Sequence, residues 1–263
     1  CPEFRQIMTV HDFPQAPDRG RLAALADILA PLPLVERVRA IRDAIDGRLV
    51  FTTSFGLEDQ ALTHAIAASG IEAEIVTLDT GRLFDETLEV WAETEFRYGR
   101  AIRAFTPERE EVETLLARDG AMGFRRSVEA RKACCDIRKV RPLGRALAGA
   151  SGWFTGLRGG QSTARAATPF VEIDRDYGLF KLSPLADWSR ERVAELVRRE
   201  GVPYNALHDR GFPSIGCAPC TRAVRVGEPE RAGRWWWESE DKKECGLHGR
   251  IPLASDIAVD AAA

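Results

Sequence analysis

Residues 48–59 read RLVFTTSFGLED, a short apolar run that passes directly into a polar turn with a glycine. The run Arg48–Thr53 predicts a buried strand, Ser54–Asp59 a turn, and Gln60–Ser69 a helix. In an open α/β sheet, ligands bind at such junctions because the free N–H groups of the helix favour an anion. Ordinary turn chemistry uses the same residues, so this stretch predicts a strand–turn–helix junction but does not by itself predict a ligand site.

The strand-and-turn pattern repeats at Ala73–Leu78, which ends in Asp79-Thr80-Gly81 and leads into a helix predicted near 82–97. Asp79 or Thr80 is the expected N-cap of that helix. Further strands are predicted near 101–105, 152–157 and 170–182, and helices near 19–46 (broken by Pro31 and Pro33), 108–118, 126–148 and 189–201. This alternation predicts an α/β fold, a single domain with a mostly parallel sheet flanked by helices.

The composition excludes several classes of protein. The chain has 263 residues, of which 44% are hydrophobic and 29% charged, and its net charge is −3. Such a balance argues against a general nucleic-acid binder. No apolar run approaches the roughly 20 residues that span a bilayer, and no secretory leader is evident. We therefore expect no membrane partner and a cytoplasmic location, where thiols stay reduced.

Six cysteines are unevenly placed: Cys1, an adjacent pair at Cys134 and Cys135, a C-x-x-C at Cys217 and Cys220, and Cys245. A C-x-x-C ligates zinc or an iron–sulfur cluster, or acts as a redox dithiol. A thioredoxin-type dithiol lies at the start of a helix that follows a strand. No such strand is evident before Cys217, which disfavours the redox dithiol. Adjacent residues point apart on a helix, so the pair binds one centre only through a local distortion or a multi-iron cluster. The spacing favours a cluster over a single zinc.

Basic residues surround these cysteines although the chain as a whole is acidic. Lys139 lies four residues after Cys135 and shares its helical face. A second group follows the C-x-x-C, and it consists of Arg222, Arg225, Arg231 and Arg234. Arginine binds phosphate or sulfate oxygens through a planar fork. The pattern indicates a small polyanionic substrate, although an exposed basic face would give the same composition.

A last cysteine stands among cations near the end, in Lys242-Lys243-Glu244-Cys245-Gly246-Leu247-His248. Neighbouring cations lower a thiol pKa and enrich the nucleophilic thiolate, so Cys245 is the candidate nucleophile and His248 a candidate substrate contact. The alternative is a tail cysteine without a role. Trp235-Trp236-Trp237 upstream predicts that this segment docks onto the body.

Together these motifs resemble the assimilatory adenylyl-sulfate reductases, within the wider family that acts on adenylyl sulfate (APS) or its 3′-phosphorylated form (PAPS). The resemblance spans Phe51 to His248 and rests on these stretches: TTSFGLEDQ, TLDTGRLFDET, RKACCDIRKVRPL, TGLRGGQSTAR, YNALHDRGFPSIGCAPCTRAV, GEPERAGRWWWE and KKECGLH. SFGLED is similar to the phosphate loop of the N-type ATP pyrophosphatases, an adenine nucleotide alpha hydrolase-like fold. Phe55 stands where those enzymes have a second glycine. Gly159-Gly160 departs from relatives that often carry a charged residue there.

The resemblance implies one [4Fe–4S] cluster on Cys134, Cys135, Cys217 and Cys220. It also implies that Ser54, Gly56 and Leu78 line the adenosine and phosphate pocket. The residues implied to bind the phosphosulfate are Lys139, Arg158, Arg231, Arg234 and His248. Relatives acting on PAPS generally lack the four cysteines, so their presence indicates APS.

The implied reaction is reduction of APS to sulfite and AMP in sulfate assimilation, through an S-sulfonate on Cys245 and with thioredoxin as reductant. Residues 1–234 would form the nucleotide-binding reductase domain with the cluster, and residues 235–263 a C-terminal catalytic segment. Three alternatives stay open: a reductase of PAPS or of both nucleotides, an iron–sulfur tRNA-thiolating enzyme of the same superfamily, and a zinc-stabilised binding module. The oligomeric state is also open, and a homo-oligomer is compatible with everything above.

Overall fold

A six-stranded sheet organises the chain. The computed structural model describes residues 19–239 and Leu247, so the predicted nucleophile Cys245 and the predicted substrate contact His248 lie outside the described residues. The strands are β1 Leu49–Thr53, β2 Glu74–Leu78, β3 Arg103–Phe105, β4 Gly152–Phe154, β5 Val171–Asp174 and β6 Leu179–Leu182. Their order is β3-β2-β1-β4-β6-β5, and only the β5–β6 pair is antiparallel. The predicted mostly parallel sheet is confirmed.

Helices cover both faces of this sheet. They are α1 Arg19–Leu29, α2 Leu34–Ala44, α3 Leu57–Ser69, α4 Asp85–Tyr98, α5 Arg109–Asp119, α6 Val128–Cys135, α7 Arg141–Leu147 and α8 Arg190–Arg199. The predicted break at Pro31 and Pro33 separates α1 from α2. No helix in the described part of the chain is long and apolar enough to cross a membrane.

Strand alternation divides the core into two layers. Leu49 and Phe51 of β1 pack with buried residues of α1, α2, α3 and α8 on one face. Val50 lies on the other face, with Trp153 of β4 and Leu143 of α7. A strand buried on both sides must be apolar at successive positions, which explains why LVF could be recognised in the sequence.

Two helix starts differ from the predictions. Helix α3 begins at Leu57 rather than Gln60, because the Asp59 carboxylate accepts hydrogen bonds from the Ser54 N–H and hydroxyl and so closes a shorter turn. Helix α4 begins at Asp85, and neither Asp79 nor Thr80 is its N-cap. The Asp79 side chain instead accepts a bond from the Gly81 N–H, which folds the β2–α4 connection into a loop of its own.

The helix that carries the adjacent cysteines is distorted. Between α6 and α7, residues Asp136–Val140 form a π-helical turn. Single π turns inside α-helices are rare and occur frequently at functional sites. The wider turn follows Cys135 directly, where the cysteine spacing required either a local distortion or a wide ligand group.

Candidate active site

A cavity of about 190 Å³ opens at the carboxyl ends of the central strands β1, β2 and β4. Six of the predicted substrate residues line it, and they are Ser54, Gly56, Leu78, Lys139, Arg231 and Arg234. Leu247 also lines it and packs against both the Trp153 layer of the core and the cysteine cluster. The C-terminal segment therefore contributes at least one side chain to this cavity.

The β1–α3 turn forms the floor of the cavity. Ser54 Oγ and the Ser54 N–H both donate to Asp59 Oδ2, each at 2.6 Å. Gly156, two residues after β4, lies so close that a Cβ there would be 2.2 Å from Asp59 Oδ1. Only glycine allows β4 to approach the turn this closely.

Phe55 stands where similar phosphate loops have a second glycine, and its backbone conformation explains that preference for glycine. Its φ is +58°, in the left-handed region that costs a non-glycine residue on the order of 1–2 kcal/mol. The ring is buried and stacks on Trp91 with centroids 5.6 Å apart. Burial of the ring and its stacking on Trp91 offset the backbone cost.

Burial raises the pKa of Asp59 to about 6, and Glu58 adds to the shift, although the two bonds from Ser54 oppose it. Because the folded-state pKa lies above that of the unfolded chain, the folded protein holds this proton more tightly. Ionisation of Asp59 therefore costs stability as pH rises from about 4 to 6, by roughly 3 kcal/mol in total.

We expect the Asp59→Asn variant to abolish this pH-dependent cost. The asparagine side chain keeps an oxygen that can accept the bonds from Ser54 but cannot ionise. The free energy of unfolding of the variant, minus that of the parent, should rise by about 3 kcal/mol between pH 4 and pH 7.5. Urea unfolding across this range measures the difference. A constant offset at every pH would contradict it.

Four thiols line a second, smaller cavity next to the first. Cys134 and Cys135 come from α6, whereas Cys217 is the N-cap and Cys220 the last residue of the short 3-10 turn Ala218–Cys220. All four are free thiols, and they pack with Phe124 and Trp235. The structure thus brings together the two cysteine pairs, which are separated by 82 residues in the sequence (217 − 135).

The two cavities share a wall, because Lys139 and Cys217 line both of them. Thr80 Oγ1 lies 3.3 Å from Cys217 Sγ, and Arg138 donates to the Thr80 carbonyl at 2.6 Å. The β2–α4 loop and the π turn therefore hold the thiols directly beside the first cavity.

Charge differs from one thiol to the next. Burial raises the pKa of Cys217, but Lys139, the Thr80 hydrogen bond, Arg234 and Arg138 outweigh it and leave a lowered pKa. Burial together with the neighbouring Cys217 raises the pKa of Cys220 to about 11. Cationic side chains thus favour the thiolate on the side that faces the first cavity.

The donor set suits an iron–sulfur cluster. Thiolates are its usual ligands, and hydrogen bonds to its sulfurs tune it. Two residues that line the thiol cavity carry buried donors, Arg138 Nε and Trp235 Nε1, that have no hydrogen-bond partner within the described part of the chain. Within the same residues, no three cysteine, histidine or acidic side chains form a group that could hold a metal ion.

The loop that follows the C-x-x-C folds back onto it at Arg234. Thr221 forms an antiparallel backbone bridge with Arg234, and the backbone N–H of Trp235 donates to the Cys220 carbonyl at 3.1 Å. Gly216 permits this return, because a Cβ there would be 2.2 Å from Arg234 Nη2. The sequence GEPERAGR therefore reaches the cavity through backbone pairing rather than through a helix.

The predicted docking of the tryptophan segment agrees with its described part. Trp235 is buried, and Arg131 of α6 lies over its ring, 4.6 Å from the centroid. Arg131 also pairs with Glu238 at 2.7 Å, and both side chains are buried. The boundary predicted at residue 234 stays a prediction, although residues 235–238 pack on the same helix that carries Cys134 and Cys135.

Arg158 is placed differently from the other predicted arginines. It is buried, donates to Glu58 at 2.7 Å and to Glu230 at 2.6 Å, and is not among the lining residues. Its charge is balanced by the carboxylates of Glu58 and Glu230. These two residues line the cavity, and Arg158 does not. Its substrate contact stays a prediction, as does that of His248.

Several lining residues were not predicted. They are Thr80, Glu58, Asp59, Gln161, Arg165, His208 and Glu230. All lie within or beside the stretches that carry the resemblance, but their roles depend on contacts between distant parts of the chain. Acidic residues in particular were not expected beside a polyanion site.

The fold and cavity together define an α/β nucleotide-binding protein whose ligand site lies where the strand order reverses, between β1 and β4. Residues 48–223 match the family described as phosphoadenosine phosphosulfate reductase domain, and the chain belongs to this family. This confirms the family indicated by the motifs.

Relatives and solved structures agree with this assignment. A Sinorhizobium fredii protein named adenosine 5′-phosphosulfate reductase is 54% identical over 89% of this chain and 96% of its own length. An Agrobacterium fabrum protein of the same name is 54% identical over 86% of each. The crystal structure of a phosphoadenylyl-sulfate reductase from Candida auris, in complex with phosphate, superposes with a TM-score of 0.67 at 24% identity. It covers 79% of this chain and 98% of that one. The fold is thus adenine nucleotide alpha hydrolase-like, as expected.

Proposed function

We propose that this protein reduces adenylyl sulfate to sulfite and AMP in sulfate assimilation. The observation that carries the proposal is the shared wall, which puts Lys139 and Cys217 between the cavity at the strand ends and the four thiols. The relatives of 54% identity, named for adenosine 5′-phosphosulfate, support the choice of substrate. The proposed location is the cytoplasm, because free thiols and a dithiol reductant require a reducing compartment.

In the proposed first step, the Cys245 thiolate attacks the sulfate sulfur of the substrate. The bond from that sulfur to the bridging oxygen breaks, AMP leaves with the electron pair, and an S-sulfonate forms on Cys245. Support comes from Leu247, two residues later in the sequence, which lines the cavity. Lys139, Arg231 and Arg234 would neutralise the charge on the leaving phosphate.

In the proposed second step, a dithiol carrier, thioredoxin, regenerates the enzyme. One carrier thiolate attacks Cys245 Sγ, and sulfite leaves with the electron pair of the S–S bond. The second carrier thiol then breaks the mixed disulfide and frees Cys245. Two electrons from the dithiol thus reduce the transferred sulfur, and the carrier ends as a disulfide.

The four cysteines would hold one [4Fe–4S] cluster. When bound, the cluster would supply a compact charged group with sulfur acceptors next to the cavity. The residues of this chain then act around it: Lys139 contributes positive charge to both cavities, and Thr80 bonds the Cys217 sulfur. No electron transfer through the cluster is required, because the dithiol supplies both electrons.

The direct test is sulfite release with thioredoxin as reductant, on adenylyl sulfate and on its 3′-phosphorylated form. We expect kcat/KM to be at least about tenfold higher on adenylyl sulfate, equivalent to about 1.4 kcal/mol of transition-state discrimination. Equal rates on both nucleotides would favour the dual-specificity alternative, and a preference for the 3′-phosphorylated form would overturn the substrate assignment. A monothiol such as glutathione is the control reductant, and we expect it to support slower turnover.

A further inference from the structure

His208 lies on the short helical turn Ala206–Arg210 after α8 and is one of the residues that line the first cavity. Its Nδ1 is 2.8 Å from the carbonyl oxygen of Phe212. A carbonyl only accepts, so Nδ1 carries the proton and donates it. In the neutral ring, Nε2 is then a bare acceptor.

This Nε2 atom is buried and accepts no hydrogen bond from any described residue. The charged groups around the ring do not change this. Arg190 donates to the Pro213 carbonyl and to Glu230, the Asp209 carboxylate accepts from Tyr204, and Glu58 can only accept. Burial lowers the pKa of His208, which keeps the ring neutral near pH 7. A buried acceptor without a donor is costly, so a bound group that donates is favoured here.

The polarity of the cavity indicates which part of a nucleotide meets this atom. Lys139, Arg231 and Arg234 attract the anionic end. Glu58, Glu230 and His208, whose side chains carry acceptors, line the same cavity. On adenylyl sulfate, the groups that donate are the ribose hydroxyls and the adenine amino group, all on the nucleoside.

We propose that His208 Nε2 accepts a hydrogen bond from a donor group on the nucleoside of the bound nucleotide. The proposal rests on the proposed function, because that function supplies the nucleotide. It makes His208 a substrate-binding residue that the motif YNALHDRGFPSIGC contains but does not identify.

A matched pair of variants separates this contact from the local fold. His208→Asn can reproduce the Nδ1–H donation to Phe212 and loses the Nε2 acceptor. His208→Gln places a polar side-chain terminus near the Nε2 position. Calorimetric titration with AMP, the proposed product, should show about 5- to 100-fold weaker binding to His208→Asn than to the parent, and a smaller loss for His208→Gln.

The donor is identified by titrating 2′-deoxy-AMP, 3′-deoxy-AMP and IMP into the parent and His208→Asn. The analogue that lacks the donor should bind both proteins equally, whereas the other two should keep the full loss in the variant. AMP binding unchanged in His208→Asn, or an equal loss for AMP and all three analogues, would overturn the contact. If the parent protein bound no AMP, the proposed function itself would be wrong, which is a separate outcome.

Discussion

Replacing Cys245 by serine is expected to lower sulfite release from adenylyl sulfate by at least about 10³-fold, because removal of a covalent nucleophile leaves only substrate binding and charge stabilisation. A serine hydroxyl at neutral pH is a far weaker nucleophile than a thiolate. Thioredoxin-coupled sulfite release measures the loss.

Cys1→Ser is the matched control for this prediction. Cys1 is the other cysteine outside the proposed cluster set, and its replacement should leave kcat/KM within about twofold of the parent. The Cys245→Ser variant should still bind AMP with parental affinity, because Lys139, Arg231 and Arg234 are retained. Parental sulfite release by Cys245→Ser would exclude Cys245 as the nucleophile.

The second large effect is expected for Cys217→Ser. Cys217 lies in the wall between the two cavities and contacts Thr80. Loss of this ligand should remove the iron and acid-labile sulfide from protein purified without oxygen. It should also lower kcat/KM by more than about 100-fold, since even changes outside the ligand set of a metal centre cost about 10- to 100-fold.

Iron and sulfide analysis separates this effect from that of Cys245. The Cys245→Ser variant should retain iron and sulfide in full while it releases no sulfite, whereas Cys217→Ser should lose both. Zinc without acid-labile sulfide in the parent protein would disprove the cluster and favour a mononuclear site. Parental iron content in Cys217→Ser would remove this cysteine from the ligand set.

The distortion next to the adjacent cysteines could be predicted from the sequence. Their spacing predicted a local distortion or a wide ligand group, and the structure has a π-helical turn immediately after Cys135. The strands could be predicted for a similar reason, because a parallel sheet buried on both faces needs runs such as LVF. Local pattern decides these features.

The partners of Arg158 could not be predicted from the local sequence pattern. Its partners Glu58 and Glu230 lie 100 and 72 residues away in the sequence, and their pairing with Arg158 forms a buried ion-pair network, while its substrate contact stays a prediction. Thr80 is similar, because its contact with Cys217 spans 137 residues. Such contacts depend on the assembled sheet and leave no signal in spacing or composition.

A single turnover without reductant shows whether Cys245 takes the sulfonate from adenylyl sulfate. Equimolar substrate should release about one equivalent of AMP and leave a sulfonate on the protein, which peptide mass spectrometry should locate on Cys245 and which thioredoxin should remove as sulfite. AMP release without an adduct, or an adduct on a cysteine other than Cys245, would contradict the account.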